Sequence, residues 1–345
     1  MRILLVTQMW PSEREPDLGS FLVPLVRQLE RTGHEVEVAA LSRRGGPPTK
    51  YLQLRRDAIR AAKRFRPEVV FAHFLFPAGL AGAMAARACG APLVVMAHGQ
   101  DVANLGRVPG ITAVTKRVVN GSAAVIANSS WLAERLCEHV PAAREKLSIA
   151  DCGVDLDAFA PLDAAGARRE LGWGSEPGDG PAYLCLGSLI ERKNVIGLAD
   201  AFARLGSGRL AFVGDGPLRE HLEGRANVTL TGRIPQSEVP QWVAACDVLC
   251  QPSLIEPFGQ ATLEAMAMER SVVATTVGGP PEFVTPEAGV LVDPHDDEAL
   301  PPAMRRAAEL PSPNPAARAA AAEHDVAKMA ARMAAVLERA GGLRP

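Results

Sequence analysis

Apolar and polar positions follow two patterns along this chain. Short runs that are apolar throughout alternate with longer stretches in which apolar residues recur every three or four positions. The first pattern is typical of strands buried on both faces of a parallel sheet, and the second of the helices that cover such a sheet. The predicted strands are residues 2–7, 35–41, 68–74, 92–97, 123–128, 146–150, 182–187, 209–213, 228–231, 247–251, 271–276 and 289–292. The predicted helices include residues 20–31, 51–66, 78–89, 195–205, 260–268 and 326–340.

A stretch rich in glycine and proline interrupts this alternation between residues 160 and 180. The chain has 345 residues, enough for two domains that each bury a core. We therefore predict an α/β protein with two doubly wound, Rossmann-like lobes, residues 1–160 and 161–325. Residues 326–345 are predicted to form a helix that returns toward the first lobe. A cleft between facing lobes would be the expected ligand site.

Charge is distributed unevenly between the two halves. Residues 1–150 hold 20 Lys and Arg against 12 Asp and Glu, whereas the remainder holds 17 against 27. The predicted helix 51–66 carries six of these cations, and a solvated helix face is the favoured interpretation. Contact with an anionic membrane surface or a phosphorylated lipid stays open. Nucleic acid is disfavoured because no aromatic residues are interleaved to stack on bases.

Targeting signals are not evident in the sequence. No apolar run approaches the length of a membrane-spanning helix, and the first run, 2–7, is too short for a signal peptide. The six cysteines are scattered through apolar segments without a Cys-x-x-Cys pair, as expected for small core residues in a reducing compartment. We expect a cytoplasmic protein, with peripheral contact at the inner face of the membrane as an open alternative.

The segment 256–264, which follows the strand 247–251, is the strongest candidate for chemistry. Gly259 lets the backbone approach a ligand, and free amides at a helix start can donate to hydroxyl groups and phosphates. Glu256 precedes the helix and Glu264 lies about a turn and a half inside it, so the two carboxylates can reach different parts of one ligand. A capping acid and a solvated helix residue are the structural alternatives.

A second candidate segment, 187–194, places Arg192 and Lys193 between a strand and the next helix. Two cations beside free helix amides form an anion site, although a surface pair is the alternative. Further glycine-bearing turns follow strands at 213–217, 231–234 and 278–282. Their recurrence in one lobe favours a binding role.

Together these segments resemble the retaining family-4 glycosyltransferases, which have the GT-B fold. The resemblance extends over nearly the whole chain and depends on an ordered set of motifs rather than on any one of them. In the first lobe and at the junction, the matching residues are 19–21, 33–36, 67–73, 97–101, 127–129 and 153–155 with Phe159.

The resemblance implies a role for each matching residue. Lys193 contacts the donor diphosphate and Glu264 the ribose hydroxyls, while Glu256 and the amides of Phe258, Gly259 and Gln260 hold the donor sugar. Gly19 approaches the phosphate from the first lobe, and His98 lies near the transferred sugar. The catalytic set is Lys193, Glu256 and His98. The donor-binding set is Gly19, Ser188, Arg192, Lys193, Gly214, Gly216, Arg233, Ile234, Glu256, Phe258, Gly259, Gln260 and Glu264, with the backbone at Arg233 and Ile234 meeting the base.

One departure from the family pattern concerns charge. Ser188 stands where family members usually carry Arg. Arg192 is the expected substitute, although its side chain starts from a different position.

Two acidic groups offer a metal site as an alternative. Asp155 and Asp157 have Asp-x-Asp spacing, and Asp293, Asp296 and Asp297 lie close in sequence. Structural roles are favoured for both groups, because Asp155 belongs to the junction motif and Asp296 precedes a predicted helix start. No metal and no cofactor are expected, the nucleotide sugar being a co-substrate.

The implied activity is metal-independent transfer of a hexose, with retention, from a UDP- or GDP-sugar. The acceptor would be a hydroxyl of a glycan, a lipid-linked sugar or a small molecule, as in cell-surface polysaccharide biosynthesis. A sugar-nucleotide epimerase of the same architecture and a non-catalytic two-lobe sugar-binding protein are the rivals. The two glutamates combined with the segment 187–194 favour transfer.

Overall fold

The computed structural model describes residues 1–174 and 180–342. These residues form two compact units. The first contains residues 1–153 together with 326–342, and the second contains the described residues between 154 and 325. The first unit thus ends at Gly153 rather than at residue 160. Residues 175–179, in the predicted break between lobes, and residues 343–345 lie outside the described residues.

The first unit is built on a six-stranded parallel sheet. Its strand order is β2-β1-β3-β4-β5-β6. The strands are β1 (Arg2–Thr7), β2 (Glu35–Ala40), β3 (Val69–His73), β4 (Leu93–Ala97), β5 (Ala124–Ala127) and β6 (Leu147–Ile149). The helices between them are α1 (Leu22–Arg31), α2 (Lys50–Phe65), α3 (Ala78–Cys89), α4 (Gln100–Ala103), α5 (Ile111–Gly121) and α6 (Ser130–His139).

The second unit repeats this plan with another six-stranded parallel sheet. Its order is β12-β11-β10-β7-β8-β9, which is the strand order of dinucleotide-binding folds. The strands are β7 (Ala182–Leu186), β8 (Arg209–Val213), β9 (Val228–Gly232), β10 (Val248–Gln251), β11 (Ser271–Thr275) and β12 (Gly289–Val292). The helices are α7 (Ala164–Leu171), α8 (Val195–Leu205), α9 (Val239–Ala245), α10 (Gln260–Ala267), α11 (Leu300–Ala308) and α12 (Pro315–Ala322).

The final helix, α13 (Val326–Ala340), belongs to the first unit. Its apolar positions recur at helical spacing, and Met329, Met333 and Leu337 are fully buried. Met333 and Leu337 pack in one cluster with Leu22 and Leu25 of α1. The helix therefore completes the core on one face of the first sheet.

The predicted α/β architecture is confirmed. Within the described residues, each predicted strand is present, with its ends within one residue of the predicted ones. Strand order reverses between β1 and β3 in the first sheet and between β7 and β10 in the second. Crevices at such reversals, outside the carboxyl ends of the strands, are where ligands bind in open α/β sheets. No helix in the described part of the chain is long and apolar enough to cross a bilayer.

Candidate functional site

Lys193 and Glu256 come together at the reversal point of the second sheet. The loop after β7 carries Lys193 and the loop after β10 carries Glu256. Because β7 and β10 are neighbouring parallel strands, both loops leave the same edge of the sheet. Lys193 Nζ lies 2.6 Å from Glu256 Oε2, and the two side chains are only 15% and 11% exposed. Sequence reasoning named both residues, and the structure joins them as an ion pair.

Glu256 accepts a second hydrogen bond at the same oxygen, from Ser253 Oγ at 3.1 Å. Burial favours the neutral acid, but the neighbouring charges of Lys193 and Arg192 and these hydrogen bonds outweigh it and hold the pKa of Glu256 below its ordinary value. The carboxylate is therefore ionised at neutral pH.

Arg192 ties the same two loops together. Its guanidinium Nη1 donates to the carbonyl oxygen of Ile255 at 2.9 Å, and its own carbonyl oxygen accepts from the Leu254 amide at 2.8 Å. Ser188 is exposed just beyond the end of β7. Arg192 thus has a structural task in addition to its predicted diphosphate contact.

Gly214 and Gly216 allow the loops after β7 and β8 to pack backbone against backbone. Gly214 has φ +143°, and a Cβ atom there would lie 1.9 Å from the carbonyl oxygen of Gly187. A Cβ atom on Gly216 would lie 2.4 Å from the carbonyl oxygen of Leu189. Contacts this short exclude any side chain, so packing alone requires glycine at both predicted donor-binding positions.

Gly259 immediately precedes α10 and has φ +111°, a backbone conformation that favours glycine. The ring of the preceding residue, Phe258, packs against Phe283 with ring centroids 5.5 Å apart. Glu264 lies inside α10 and is 9% exposed. Burial raises the pKa of Glu264 to about 7, although Gln260 Nε2 donates to its Oε1 at 3.4 Å. Glu264 therefore changes charge near neutral pH.

Arg233 and Ile234 follow β9, next to the loop after β8. The Gly214 amide donates to the carbonyl oxygen of Gly232 at 3.0 Å, which joins the two loops. The Arg233 side chain is exposed and Ile234 is half-buried. The backbone of Arg233 and Ile234 therefore lies at the carboxyl edge of the second sheet.

Gly19 and His98 belong to the first unit. Gly19 is buried in the loop after β1 with φ +69°, and a Cβ atom there would lie 2.6 Å from the Met9 carbonyl oxygen. His98 follows β4 directly, and its ring lies 4.4 Å from that of Phe74 and 5.5 Å from that of Phe21, measured between centroids. Both residues therefore lie at the carboxyl edge of the first sheet.

His98 also contacts a second histidine. Its Nε2 lies 2.9 Å from Nδ1 of His73, the last residue of β3. Burial lowers the pKa of His98 to about 3 and lowers the pKa of His73 as well. Both imidazoles are therefore neutral at physiological pH, and one ring donates a proton to the hydrogen bond between them.

Asp101 fixes the loop that carries His98, a role that sequence reasoning missed. Its buried carboxylate accepts from the amides of Leu75 at 2.8 Å, Gly99 at 2.9 Å, and His98 and Val102 at 3.1 Å. Its position three residues after His98, at a helix start, is the signal that could have revealed it.

Asp155 and Asp296 belong to the two acidic groups that were considered as metal sites. In the structure each of them caps a turn. Asp155 Oδ1 accepts from the amides of Asp157 and Ala158, both at 3.1 Å. Asp296 Oδ1 accepts from the amide of Glu298 at 3.0 Å. Asp155 and Asp296 thus have structural roles, but Asp296 caps a turn rather than a helix, because α11 begins at Leu300 with Ala299 as its N-cap residue.

Two family models match the chain. The model described as Glycosyltransferase Family 4 matches residues 18–158, and the one described as Glycosyl transferases group 1 matches residues 180–309.

Several curated proteins are similar over most of the chain. TuaC of Bacillus subtilis, a glycosyltransferase assigned to teichuronic acid biosynthesis, is 25% identical over 89% of each chain. A D-inositol 3-phosphate glycosyltransferase of Catenulispora acidiphila is 31% identical over 74% of this chain and 68% of its own. For two other D-inositol 3-phosphate glycosyltransferases the match spans only about three fifths of the relative's length, 60% and 61%.

A solved structure has a similar fold. Anabaena HepE in complex with UDP-glucose superposes with a TM-score of 0.77 and 22% identity, covering 98% of this chain and 100% of HepE.

Proposed function

Because this chain belongs to glycosyltransferase family 4 and is a hexosyltransferase with the GT-B fold, we propose that it uses a nucleotide-diphosphate hexose as donor and retains the anomeric configuration. The proposed reaction needs no metal ion and no further cofactor. Breaking the sugar–phosphate bond places negative charge on the diphosphate and positive character on the sugar. Cations and amides that are already aligned stabilise this change best.

The Lys193–Glu256 ion pair is the observation that carries the proposal. The Lys193 ammonium has three N–H donors, and one of them is engaged by Glu256 Oε2. The others are proposed to donate to the diphosphate, with support from the charge of Arg192. Lys193 and Ser253 both donate to Oε2, which leaves Glu256 Oε1 as the proposed acceptor for a hydroxyl of the donor sugar.

The remaining donor contacts follow from the family resemblance. Glu264 is proposed to accept from the ribose hydroxyls, and the backbone at Arg233 and Ile234 to meet the base. Gly19 is proposed to approach the phosphate, and the neutral imidazole of His98 to contact the transferred sugar. For retention, the acceptor attacks from the side of the leaving group and a donor phosphate oxygen takes its proton.

Donor and acceptor are proposed at the level of class. UDP-hexoses are the first donors to test because HepE was solved with UDP-glucose, and GDP-hexoses are second. The acceptor is proposed to be a glycan or lipid-linked hydroxyl, as in cell-surface polysaccharide synthesis. A cytoplasmic enzyme with peripheral membrane contact fits the exposed Arg56, Arg60 and Lys63 on α2. Binding to anionic but not neutral liposomes, lost at high salt, would support that contact.

A panel of nucleotide-diphosphate sugars tests the donor proposal. A ligand at 100 times its dissociation constant adds about 2.7 kcal/mol of stability, which a thermal-unfolding experiment detects. The same sugar should be transferred in the presence of EDTA, and NMR of the product should show the donor's anomeric configuration. Incubation with donor alone controls for epimerisation. Binding of no sugar nucleotide, or activity that requires Mn²⁺, would contradict the proposal.

A further inference from the structure

Three side chains with nitrogen or sulfur donor atoms converge in the first unit. His73 ends β3, His98 follows β4, and Cys152 lies just after β6. One donor atom from each lies within 4.8 Å of the other two. His73 and Cys152 are buried, whereas His98 is partly exposed and gives access from solvent. The three residues are far apart in sequence, so no short sequence motif indicates the cluster.

The cluster contains an unsatisfied donor atom. His73 has no exposed surface, and within residues 1–174 and 180–342 its Nε2 has no hydrogen-bond partner. A buried polar atom without a partner carries a free-energy cost, because it has lost its hydrogen bonds to water and gained none in return. A ligand that takes up nitrogen or sulfur lone pairs in this cluster would recover part of that cost.

We propose that His73, His98 and Cys152 bind a divalent cation of the zinc class. Imidazole nitrogen and thiolate sulfur are the ligands that such cations prefer, and three protein ligands with one water is a common coordination. Zinc–nitrogen and zinc–sulfur bonds of about 2.1 and 2.3 Å put ligand atoms about 3.5 Å apart in a tetrahedron. The donor atoms that lie farthest apart, at up to 4.8 Å, must therefore close by about 1 Å, and the 2.9 Å hydrogen bond between His73 and His98 must break.

Binding exchanges a proton for the metal at Cys152. The S–H bond breaks, a sulfur–metal bond forms, and the proton leaves to solvent with no change in oxidation state. In the proposed reaction Lys193 and Arg192 of the second unit neutralise the leaving diphosphate, so the proposal gives this metal no part in leaving-group chemistry. Provided that His98 contacts the donor sugar, as proposed above, a metal on its ring inhibits transfer.

Cobalt(II) is the probe for the site itself. Titrating the full chain with Co²⁺, in a thiol-free reductant, should give the near-ultraviolet charge-transfer band of a cobalt–thiolate bond at one equivalent. The band should disappear in Cys152→Ser and persist in Cys137→Ser, which changes another buried cysteine of the same unit. Cys152→Ala, checked by circular dichroism, covers the case in which the serine variant does not fold. No band, or a band retained in a folded Cys152 variant, overturns the site.

Zinc inhibition separately tests whether a metal on the ring of His98 blocks sugar transfer. With each rate taken relative to the same variant without metal, zinc should inhibit the wild type and Cys137→Ser at least 10-fold more than Cys152→Ala. Equal inhibition overturns the inhibitory role, and the cobalt titration still decides the site. Absence of any sugar transfer without metal would contradict the proposed function and leave the cobalt result valid.

Discussion

Lys193 Nζ and Glu256 Oε2 lie 2.6 Å apart although their residues are separated by 63 positions in sequence. Each side chain therefore fixes the position of the other, and Lys193 helps to keep the pKa of Glu256 below its ordinary value. A substitution of either one removes a predicted ligand contact and also leaves the partner's charge without compensation in a largely buried place.

Lys193→Ala should lower kcat/KM by about 100-fold or more, equivalent to about 3–4 kcal/mol, because an aligned cation no longer stabilises the leaving diphosphate. Steady-state kinetics with the best donor of the panel measure this. Arg204→Ala is the control, since Arg204 pairs at the surface with the 86%-exposed Glu298. A Lys193→Ala enzyme within threefold of the wild type would refute the role of Lys193.

The Lys193–Glu256 ion pair should also contribute to the free energy of unfolding. Lys193→Met or Glu256→Gln alone should cost about 3 kcal/mol, because each leaves a buried partner uncompensated, and the double variant should cost less than the sum of the two. Urea unfolding measures this in a Trp10→Phe, Trp131→Phe background. There, the fluorescence comes from Trp173 and Trp242, both buried in the second unit. Additive costs would show that the pair is not coupled.

Glu264 should make the stability of the second unit depend on pH. Its folded pKa of about 7 lies above its ordinary value of 4.5, so the folded state holds the proton more tightly. Stability should be highest below pH 4.5 with respect to this group and fall by about 3 kcal/mol as pH rises through 7. Glu264→Gln should remove this component from urea unfolding measured at pH 5, 6, 7 and 8. Identical pH profiles in both proteins would contradict the raised pKa.

The affinity for a nucleotide should rise with pH, whereas the stability of the second unit should fall. An ionised Glu264 accepts hydrogen bonds from two ribose hydroxyls, whereas the protonated acid accepts less well. UDP affinity, measured by calorimetry, should therefore rise between pH 6 and 8, and Glu264→Gln should bind weakly at both. The 2′,3′-dideoxy nucleotide is the matched ligand control, because it lacks the hydroxyls and should show no such rise.

Asp101→Ala should loosen the loop that carries His98. Removing one carboxylate leaves the amides of Leu75, His98, Gly99 and Val102 without their acceptor, at a cost of about 3 kcal/mol or more. Hydrogen exchange should accelerate in peptides that cover 98–102 before it does elsewhere in the first unit. The control is Asp57→Ala on α2, whose 41%-exposed side chain pairs with Arg60 at the surface. Unchanged protection of 98–102 would argue against a positioning role for Asp101.

The strands were predictable because parallel strands buried on both faces leave uninterrupted apolar runs in the sequence. The helix α12 is not among the elements predicted from the sequence. Pro315 is in fact the first helical residue, and the Asn314 side chain accepts from the Ala317 amide at 3.1 Å. Asn followed by Pro is a helix-start signal, so this omission was avoidable.

Sequence reasoning located the two loops of the candidate site and could not show how their side chains pair. The Lys193–Glu256 bond depends on β7 lying beside β10, which is a property of topology. The contact of His73 with His98 depends in the same way on β3 lying beside β4. Gly214 stays a predicted donor-binding position, and its closeness to the Gly187 carbonyl oxygen adds a packing requirement that no sequence pattern reveals.

The two ends of the second unit are neighbours. The Val154 amide donates to the carbonyl oxygen of His324 at 2.8 Å, and Val154 also forms a β-bridge with Asp325. The unit is thus an insertion that leaves and rejoins the surrounding chain at one place. A homologous unit could therefore be exchanged at these adjacent ends without lengthening either junction, and the donor preference of the hybrid would test the proposal that the second unit selects the donor.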